Sequence, residues 1–536
     1  MASTYRVPAY PADPNTTLAE SIRNSASDND ATVVPGDRRR RRLLTATIGA
    51  GLSGALLGLL MPRGPMSTRD ALLAIAIGLV TGLASGWWTR SRWLMLLGPV
   101  AHLLVFELVR SPTDGPLVDG IHLGTTWGLA AFVFGRLFNG ILVVIPMLLG
   151  VSLGAAGARR KVGTVGPEGL RLIGLWLRRF VAAGTALSLL AFMWVLTRPA
   201  MTPPIRDAAG RPVAGSIASL ERVRLGGHDQ WISIRGWSTG KPILLHLAGG
   251  PGQSDLGYIR ALWGDIERDM IVVDWDQRGT GKSYSALDPT STWSLSQAVN
   301  DTLELTNYLR IKFGQDKIYL IGESWGTILG TLAVQQRPDL FHAYIGGGQM
   351  VDVRETDQLL YDEMLTYART SRDSEAEQRM LAYGRPPYED VFANAFVMSY
   401  YDALNPHRSP QAYEDHITAS GIGPLNALAD EYTFMESLAV VRGLADMFAV
   451  MYPQLQGLDL RESVHRLDVP VYLVDGKYES RARLQPAAEW FAGLQAPVKQ
   501  RYTFARSGHS AQYEEFDRLH ELLVGTIIPA SSEVRQ

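Results

Sequence analysis

The sequence contains no cysteine, and this absence excludes three kinds of chemistry. Without Cys among its 536 residues, the chain has no disulfides, no thiolate metal sites and no cysteine nucleophile. Charged residues are also scarce, at 19% of the chain against 46% hydrophobic residues, which excludes a disordered polyelectrolyte. The composition therefore predicts packed domains, and the sequence indicates neither a cofactor nor a metal.

The larger, C-terminal part of the chain has no excess of basic residues. Residues 1–200 contain 20 Lys and Arg against 10 Asp and Glu, whereas residues 201–536 contain 31 against 43. The C-terminal part is therefore acidic, and binding to a phosphate backbone requires clustered basic side chains. We expect no nucleic-acid partner.

The N-terminus combines a polar tail with a long apolar run. Residues 1–42 have no apolar periodicity and end in five arginines, Arg38–Arg42, so they predict a disordered tail. The uncharged stretch Leu43–Met61 follows at once and is long enough to cross about 30 Å of hydrocarbon. A cleaved signal peptide is the alternative, but the leader is long, it has no clear small-residue cleavage site, and further apolar segments follow.

Four further apolar stretches extend this predicted membrane region over residues 43–198. They are Ala71–Trp88, Trp93–Val109, Thr126–Val151 and Phe180–Leu196. With five spans the Arg-rich loops lie on one side, which is the cytoplasmic side under the positive-inside rule. The N-terminus is then inside, and everything after Leu196 lies outside the plasma membrane. A sixth span within the overlong stretch Thr126–Val151 is the alternative, and it would reverse this topology.

Short β-branched runs alternate with helical stretches beyond a Pro- and Gly-rich linker at residues 199–218. This alternation predicts a mostly parallel sheet covered by helices. The predicted strands are Gln230–Arg235, Pro242–Leu247, Met270–Asp274, Lys317–Ile321, Ala343–Gly346, Val469–Val474 and Gln500–Phe504. We expect the core domain, which contains this sheet, to occupy residues 219–349 and 466–530. Residues 350–465 have helical periodicity alone, and they predict a helical cap over the sheet edge where ligands bind.

A pentapeptide in this core has the form of a nucleophile elbow. Gly322–Gly326 reads Gly-Glu-Ser-Trp-Gly and lies directly between the predicted strand Lys317–Ile321 and a predicted helix. Glycines on both sides allow the sharp turn that lifts a serine hydroxyl above the sheet. The context of strand, turn and helix favours Ser324 as a nucleophile over a purely structural turn.

A serine nucleophile needs a base that accepts its proton and an acid that orients the base. His509 lies just past the last predicted strand, where a turn can direct the imidazole toward Ser324. Two acids follow the strand Val469–Val474, namely Asp475 and Glu479. Either acid gives the chain order serine, acid, histidine, which is one of the known orders of a catalytic triad.

Acyl transfer also requires backbone N–H groups directed at the developing negative charge. The predicted donors are the N–H of Trp325, next to the nucleophile, and the N–H of Gly249 in the loop after the strand Pro242–Leu247. That loop, Ala248–Gly252, reads Ala-Gly-Gly-Pro-Gly, and its glycines permit close approach of a substrate. A phosphate-binding loop is the alternative, but no Lys-Ser or Lys-Thr pair follows these glycines.

Four segments taken together resemble the prolyl aminopeptidase (proline iminopeptidase) group of α/β-hydrolases. They are Ala248–Gly252, Asp276–Ser283, Gly322–Gly326 and Gly508–His509. The resemblance covers residues 220–530 and implies an α/β-hydrolase fold with a cap, in which Ser324 is the nucleophile and His509 the base. It places the acid in a Gly-Arg/Lys-Tyr-Asp/Glu segment, here residues 476–479, which favours Glu479 over Asp475.

Two positions depart from the usual pattern of this family, since Ala248 replaces a histidine and Glu479 replaces an aspartate. Both departures preserve the chemistry, because the oxyanion donors are backbone groups and glutamate serves as the acid in some triads. The resemblance also implies that acids of the cap bind the free α-ammonium group of the substrate. The candidates are Glu355, Asp362, Glu363, Glu431 and Glu436, and the sequence does not choose among them.

The motifs and the resemblance together predict a membrane-anchored serine hydrolase that releases N-terminal residues, with proline favoured, from short peptides. The alternative within enzymes is an esterase or lipase-type hydrolase whose ester substrate partitions into the bilayer. The alternative outside enzymes is a membrane sensor or interaction protein with a silent hydrolase domain. The expected partners are a short peptide or small ester and the lipid bilayer, and the oligomeric state is left open.

Overall fold

The computed structural model describes residues 35–61, 64–111, 123, 126–160, 170–288, 290–388, 391–423 and 426–533. The chain divides into two compact units. One comprises the described residues within 1–60, 74–111 and 143–187, and the other comprises the described residues within 61–73, 112–142 and 188–536.

The apolar stretches of the N-terminal region form helices. Their bounds are Pro35–Leu60, Thr68–Thr89, Leu94–Arg110, Thr126–Phe132, Phe138–Arg160 and Leu170–Leu196. Within the described residues, four helical stretches are long and apolar enough to cross a membrane, namely Asp37–Leu60, Thr68–Thr89, Gly128–Arg159 and Leu172–Leu196. The remaining predicted span forms the 17-residue helix Leu94–Arg110, which is at the lower limit of a spanning length. The count of five crossings stays a prediction.

Two features of this region differ from the sequence-based expectation. The first helix begins at Pro35, so Arg38–Arg42 form its first turns instead of the end of a disordered tail. Arginine is a good helix former, and the helix extends from the apolar segment into the basic run. Residues 1–34 lie outside the described residues. The overlong stretch is interrupted by a π-helical turn at Val133–Leu137.

Closely spaced glycines join two helices of the first unit. A Cβ at Gly78, Gly82 or Gly86 would lie 2.5, 2.2 or 2.4 Å from a backbone carbonyl oxygen of the helix Phe138–Arg160. All three glycines lie four residues apart on one face of the helix Thr68–Thr89. This spacing lets two helix backbones approach closely, and it is typical of helices that pack within a membrane.

Eight strands form one sheet in the second unit, in the order β1-β2-β4-β3-β5-β6-β7-β8. Their bounds are Ile217–Leu225 for β1, His228–Gly236 for β2, Ile243–Leu247 for β3, Ile271–Asp276 for β4, Ile318–Glu323 for β5, Phe341–Gly347 for β6, Val471–Gly476 for β7 and Lys499–Phe504 for β8. The pairs β1/β2 and β2/β4 are antiparallel, and the other neighbours are parallel. All seven predicted strands are present.

The strand β1 was not predicted, and it begins at Ile217, inside the predicted linker. It lies at the edge of the sheet and pairs with β2 alone. Its sequence includes Glu221, Arg222 and Arg224. An edge strand often has charged side chains along its open side, so its hydrophobic signal in the sequence is weak.

Helices cover both faces of the sheet, because successive side chains of a strand point to opposite faces. Leu245 of β3 belongs to one core cluster and the adjacent Leu244 to the other. The first cluster includes the helices Leu295–Phe313, Trp325–Gln336 and Arg481–Gly493, and the second includes Leu256–Leu262, Ile266–Asp269, Ala511–Glu514 and Phe516–Leu522. The last described helix is Ile528–Glu533. The strands β3 to β7 are thus buried on both sides, as is usual for a parallel sheet covered by helices, whereas the edge strand β8 is partly exposed.

The segment between β6 and β7 is the helical cap. Its helices are Val353–Ser371, Ser374–Tyr383, Val391–Met398, Tyr401–Leu404, Gln411–Ser420, Phe434–Leu455 and Leu460–Ser463. The longest of them, Phe434–Leu455, begins with a capping box formed by Thr433 and Glu436. The predicted fold class, an α/β-hydrolase with a helical cap, is confirmed.

A buried arginine joins the cap to the start of an apolar helix of the same unit. Arg442 of the helix Phe434–Leu455 donates to the carbonyl oxygen of Ala131 at 2.8 Å. Its guanidinium also lies 3.4 Å from the carboxylate of Asp446, which accepts a hydrogen bond from Tyr284 at 2.7 Å. This buried polar chain therefore connects three separate segments of the second unit.

Candidate active site

Ser324 lies at the sharp turn between β5 and the helix Trp325–Gln336. Its φ of 49° and ψ of −113° form a conformation that residues other than glycine rarely adopt. The N–H of Ser324 holds the turn by donating to the carbonyl oxygen of Gly347 at 2.9 Å. A Cβ at Gly326 would lie 2.0 Å from the carbonyl oxygen of Leu247, so this position requires glycine. The segment has the geometry of a nucleophile elbow.

His509 and Glu479 are in direct contact. The imidazole Nδ1 lies 2.5 Å from Oε2 of Glu479. The other carboxylate oxygen, Oε1, accepts hydrogen bonds from the N–H of Ser480 at 2.7 Å and from the hydroxyl of Tyr401. Burial raises the pKa of Glu479, but the charge and hydrogen bond of His509, with Arg483 and Tyr401, outweigh burial and lower this pKa to about 2. The carboxylate beside the imidazole is therefore ionised.

The alternative acid, Asp475, is engaged elsewhere. Arg501 Nε donates to Oδ2 of Asp475 at 2.5 Å. The strand β7 continues to Gly476, so Asp475 lies inside the strand and not in the loop that follows it. Burial raises the pKa of Asp475, and the charge of Arg501 acts in the opposite direction. Of the two acids, Glu479 is the one that contacts the imidazole.

The three predicted catalytic side chains follow β5, β7 and β8, whose carboxyl ends meet at one edge of the sheet. Within the part of the chain that the structure describes, the hydroxyl of Ser324 makes no hydrogen bond to His509; it donates to Sδ of Met350 at 3.6 Å. The second imidazole nitrogen, Nε2, lies 3.8 Å from Oε1 of Glu323. The structure thus joins His509 to Glu479 and directs the hydroxyl of Ser324 at Met350.

The two backbone N–H groups predicted to form the oxyanion hole make no hydrogen bond within the described part of the protein. In the described ranges, the N–H groups of Gly249 and Trp325 donate to no other residue. Gln277 connects their two segments, because its Nε2 donates to the carbonyl oxygen of Ala248 at 3.1 Å and its Oε1 accepts from the Trp325 indole at 2.9 Å. The loop after β4 therefore supports the loop Ala248–Gly252, where one oxyanion donor is predicted.

Three residues of this site were not predicted from the sequence. Tyr401 contacts Glu479 from the cap, Met350 accepts from Ser324, and Glu323 lies beside His509. For Tyr401 and Met350 the sequence has no distinguishing signal, because both contacts join distant segments. For Glu323 a signal was available, since a charged residue at the end of a fully buried strand is unusual.

The five acids of the cap that were candidates for binding an ammonium group all pair with basic side chains of the protein. The pairs are Glu355 with Arg461 at 2.5 Å, Asp362 with Arg385 at 2.7 Å, Glu363 with Arg481 at 3.3 Å, Glu431 with Arg260 at 2.6 Å and Glu436 with Lys282 at 2.8 Å. We call these residues the five cap acids. In the described ranges, no group of three or more His, Asp and Glu side chains is arranged to hold a metal ion.

Comparison with known proteins identifies the family. Residues 242–516, about half of the chain, match the family model of the alpha/beta hydrolase fold. The "Probable aminopeptidase YbaC" of Bacillus subtilis (strain 168) is 27% identical over 309 residues, which cover 57% of this chain and 94% of that protein. The "Probable proline iminopeptidase" of Leptolyngbya boryana is 33% identical over 114 residues, which cover 21% of this chain and 32% of that protein.

Among solved structures, the proline iminopeptidase of Mycobacterium smegmatis is 16% identical, with a TM-score of 0.41 over 59% of this chain and 100% of that chain. The match to the family model agrees with the sheet order, the elbow and the cap described above. The chain belongs to the α/β-hydrolase family.

Proposed function

We propose that this protein is a membrane-anchored serine hydrolase that releases N-terminal residues, with proline favoured, from short peptides. The observation that carries the proposal is the contact between His509 and Glu479 at the sheet edge where Ser324 occupies the elbow. An ionised acid on Nδ1 leaves Nε2 as the nitrogen that accepts a proton. The aminopeptidase and proline iminopeptidase relatives support a peptide substrate.

In the proposed mechanism, the hydroxyl of Ser324 turns from Met350 toward Nε2 of His509 and attacks the carbonyl carbon of the N-terminal residue. The proton passes to Nε2, and Glu479 stabilises the resulting imidazolium. The N–H groups of Gly249 and Trp325 stabilise the negative charge on the carbonyl oxygen.

Collapse of this intermediate breaks the peptide C–N bond, and the proton on Nε2 passes to the leaving amine. The product of this first half is an ester between Ser324 and the N-terminal residue. Water then attacks that ester with His509 again as the base, and the N-terminal residue is released as the free amino acid.

The membrane-capable helices support anchoring in a bilayer. The positions of the basic residues favour a topology in which the N-terminus is cytoplasmic and the hydrolase domain lies outside the plasma membrane. The proposed substrates are therefore extracytoplasmic peptides.

Hydrolysis of proline β-naphthylamide and of p-nitrophenyl esters by the full-length protein in detergent tests this proposal. We expect turnover of the amide, and we expect Ser324→Ala to abolish it. Turnover of the esters alone would favour the esterase alternative. A folded protein that hydrolyses neither substrate and fails to react with a fluorophosphonate would favour the silent-domain alternative.

A further inference from the structure

An aminopeptidase has to bind the positive charge on the N-terminus of its substrate, and the five cap acids already pair with Arg or Lys. Among the described residues, two buried carboxylate oxygens have no hydrogen-bond partner, namely Oδ2 of Asp274 and Oε2 of Glu323. Asp274 lies within β4, and its other oxygen contacts the buried His246 at 2.7 Å. Glu323 is directly adjacent to Ser324.

Glu323 is the last residue of β5 and is 2% exposed. Its Oε1 accepts from the hydroxyl of Ser510 at 3.3 Å and lies 3.8 Å from Nε2 of His509. Its Oε2 faces Gly249, where an added Cβ would lie 1.8 Å from Oε2 and 3.4 Å from the amide oxygen of Gln253. Two acceptor oxygens therefore converge beside Gly249 of the loop Ala248–Gly252, and within the described ranges no Lys or Arg pairs with Glu323.

Covalent geometry limits how far the ammonium group of a bound substrate can lie from the carbon under attack. The α-nitrogen is about 2.5 Å from the carbonyl carbon of its own residue, because the N–Cα and Cα–C bonds are each about 1.5 Å long. When Ser324 attacks that carbon and the carbonyl oxygen faces Gly249, the nitrogen remains close to both residues. Glu323 adjoins Ser324 in the chain and Gly249 in space, so its carboxylate is an acid beside both of these residues.

A buried carboxylate without a cation is unfavourable, and one beside an oxyanion hole opposes the negative charge that develops there. The ammonium group of a substrate relieves both effects, because it supplies the missing cation and N–H donors. We infer that Glu323, together with the amide oxygen of Gln253, binds the N-terminal ammonium or pyrrolidinium group of the substrate. This inference rests on the proposed aminopeptidase function, and it makes a free N-terminus a requirement of the site.

Two β-naphthylamides that differ only in this charge test the inference. Proline β-naphthylamide has a pyrrolidinium group, and cyclopentanecarboxylic acid β-naphthylamide has the same ring without the nitrogen. The full-length protein in detergent is assayed with both, and the ratio of the two kcat/KM values measures selection for the charge. We expect Glu323→Gln to lower this ratio about 100-fold, because removing one partner of a buried charge pair weakens binding on that scale.

Glu363→Gln is the matched control, since it makes the same exchange in a cap acid, and we expect it to change the ratio less than about threefold, within the range of a surface ion pair. Labelling by a neutral fluorophosphonate reports whether Ser324 and His509 remain assembled in each variant. If Glu323→Gln lowered kcat/KM equally for the charged and the uncharged β-naphthylamide, or abolished labelling, Glu323 would act on the nucleophile or the base. Either result would overturn the inference.

An unchanged ratio in Glu323→Gln, or a ratio lost in Glu363→Gln instead, would also overturn the inference while the aminopeptidase function stands. A wild-type protein that hydrolyses p-nitrophenyl esters but not proline β-naphthylamide would refute the proposed function itself, and the inference with it. The two failures are therefore distinguishable in one set of assays.

Discussion

Replacing Glu479 by glutamine removes the charge from the contact with His509 and keeps the size of the side chain. The carboxylate accepts from Nδ1 of the imidazole at 2.5 Å, and it is held in place by the N–H of Ser480 and the hydroxyl of Tyr401. We expect Glu479→Gln to fold normally and to lose most of its turnover, because an amide neither holds the imidazole in the required tautomer nor stabilises the imidazolium.

The pKa of Glu479 indicates the scale of the electrostatic part of this loss. Burial raises the pKa of Glu479, yet its neighbours, with His509 foremost, lower it from 4.5 to about 2. At about 1.36 kcal/mol per unit, this shift favours the charged carboxylate by about 3 kcal/mol, or a factor of several hundred. The loss of tautomer control adds to this electrostatic part, so we expect kcat to fall about 1,000- to 10,000-fold.

The assay compares kcat for proline β-naphthylamide in Glu479→Gln and in Asp475→Asn, with circular dichroism as the check on folding. We expect Asp475→Asn to keep kcat within about fivefold of the wild type, because the carboxylate of Asp475 pairs with Arg501 while the imidazole of His509 contacts Glu479. A larger loss in Asp475→Asn than in Glu479→Gln would refute the assignment of the acid.

Three further predictions concern topology, packing and pH. An alkaline phosphatase fusion after Ala214 should be active, and protease added to whole cells should remove the hydrolase domain; protection of the domain would mean an even number of crossings. Arg442→Ala should lower the free energy of unfolding by about 3 kcal/mol, measured by thermal unfolding, because it removes a buried ion pair with Asp446 and a buried hydrogen bond to Ala131. Because the pKa of Glu479 is lower in the folded protein, its ionised carboxylate stabilises the fold. This stabilisation is complete above about pH 4.5 and is lost as the pH falls toward 2. The unfolding temperature of Glu479→Gln should therefore fall less than that of the wild type between about pH 5 and about pH 2.5.

Local patterns made the fold and the elbow predictable. The strands were recognised because each is a short apolar run between turns, and Ser324 because its glycines and its flanking elements are contiguous in the chain. The strand β1 was not predicted, because an edge strand with charged residues lacks such an apolar run.

Contacts between distant segments were not predictable where no motif marks them. The family motif at residues 476–479 favoured Glu479 over Asp475, whereas the physical reason for that choice, which is the end of β7 and the pairing of Asp475 with Arg501, appears only in the fold. The same holds for Tyr401, whose hydroxyl reaches Glu479 from the cap. The five cap acids look equivalent in the sequence, and only their basic partners in the fold show that they are engaged.

The central claim is that Ser324 is a nucleophile activated by His509. The most direct test is to label the full-length protein in detergent with a fluorophosphonate and to map the adduct by mass spectrometry. The account predicts one adduct per chain on Ser324, labelling that slows by at least about 1,000-fold in His509→Ala, and no turnover in Ser324→Ala. An adduct on another residue, or turnover in Ser324→Ala within about tenfold of the wild type, would contradict it.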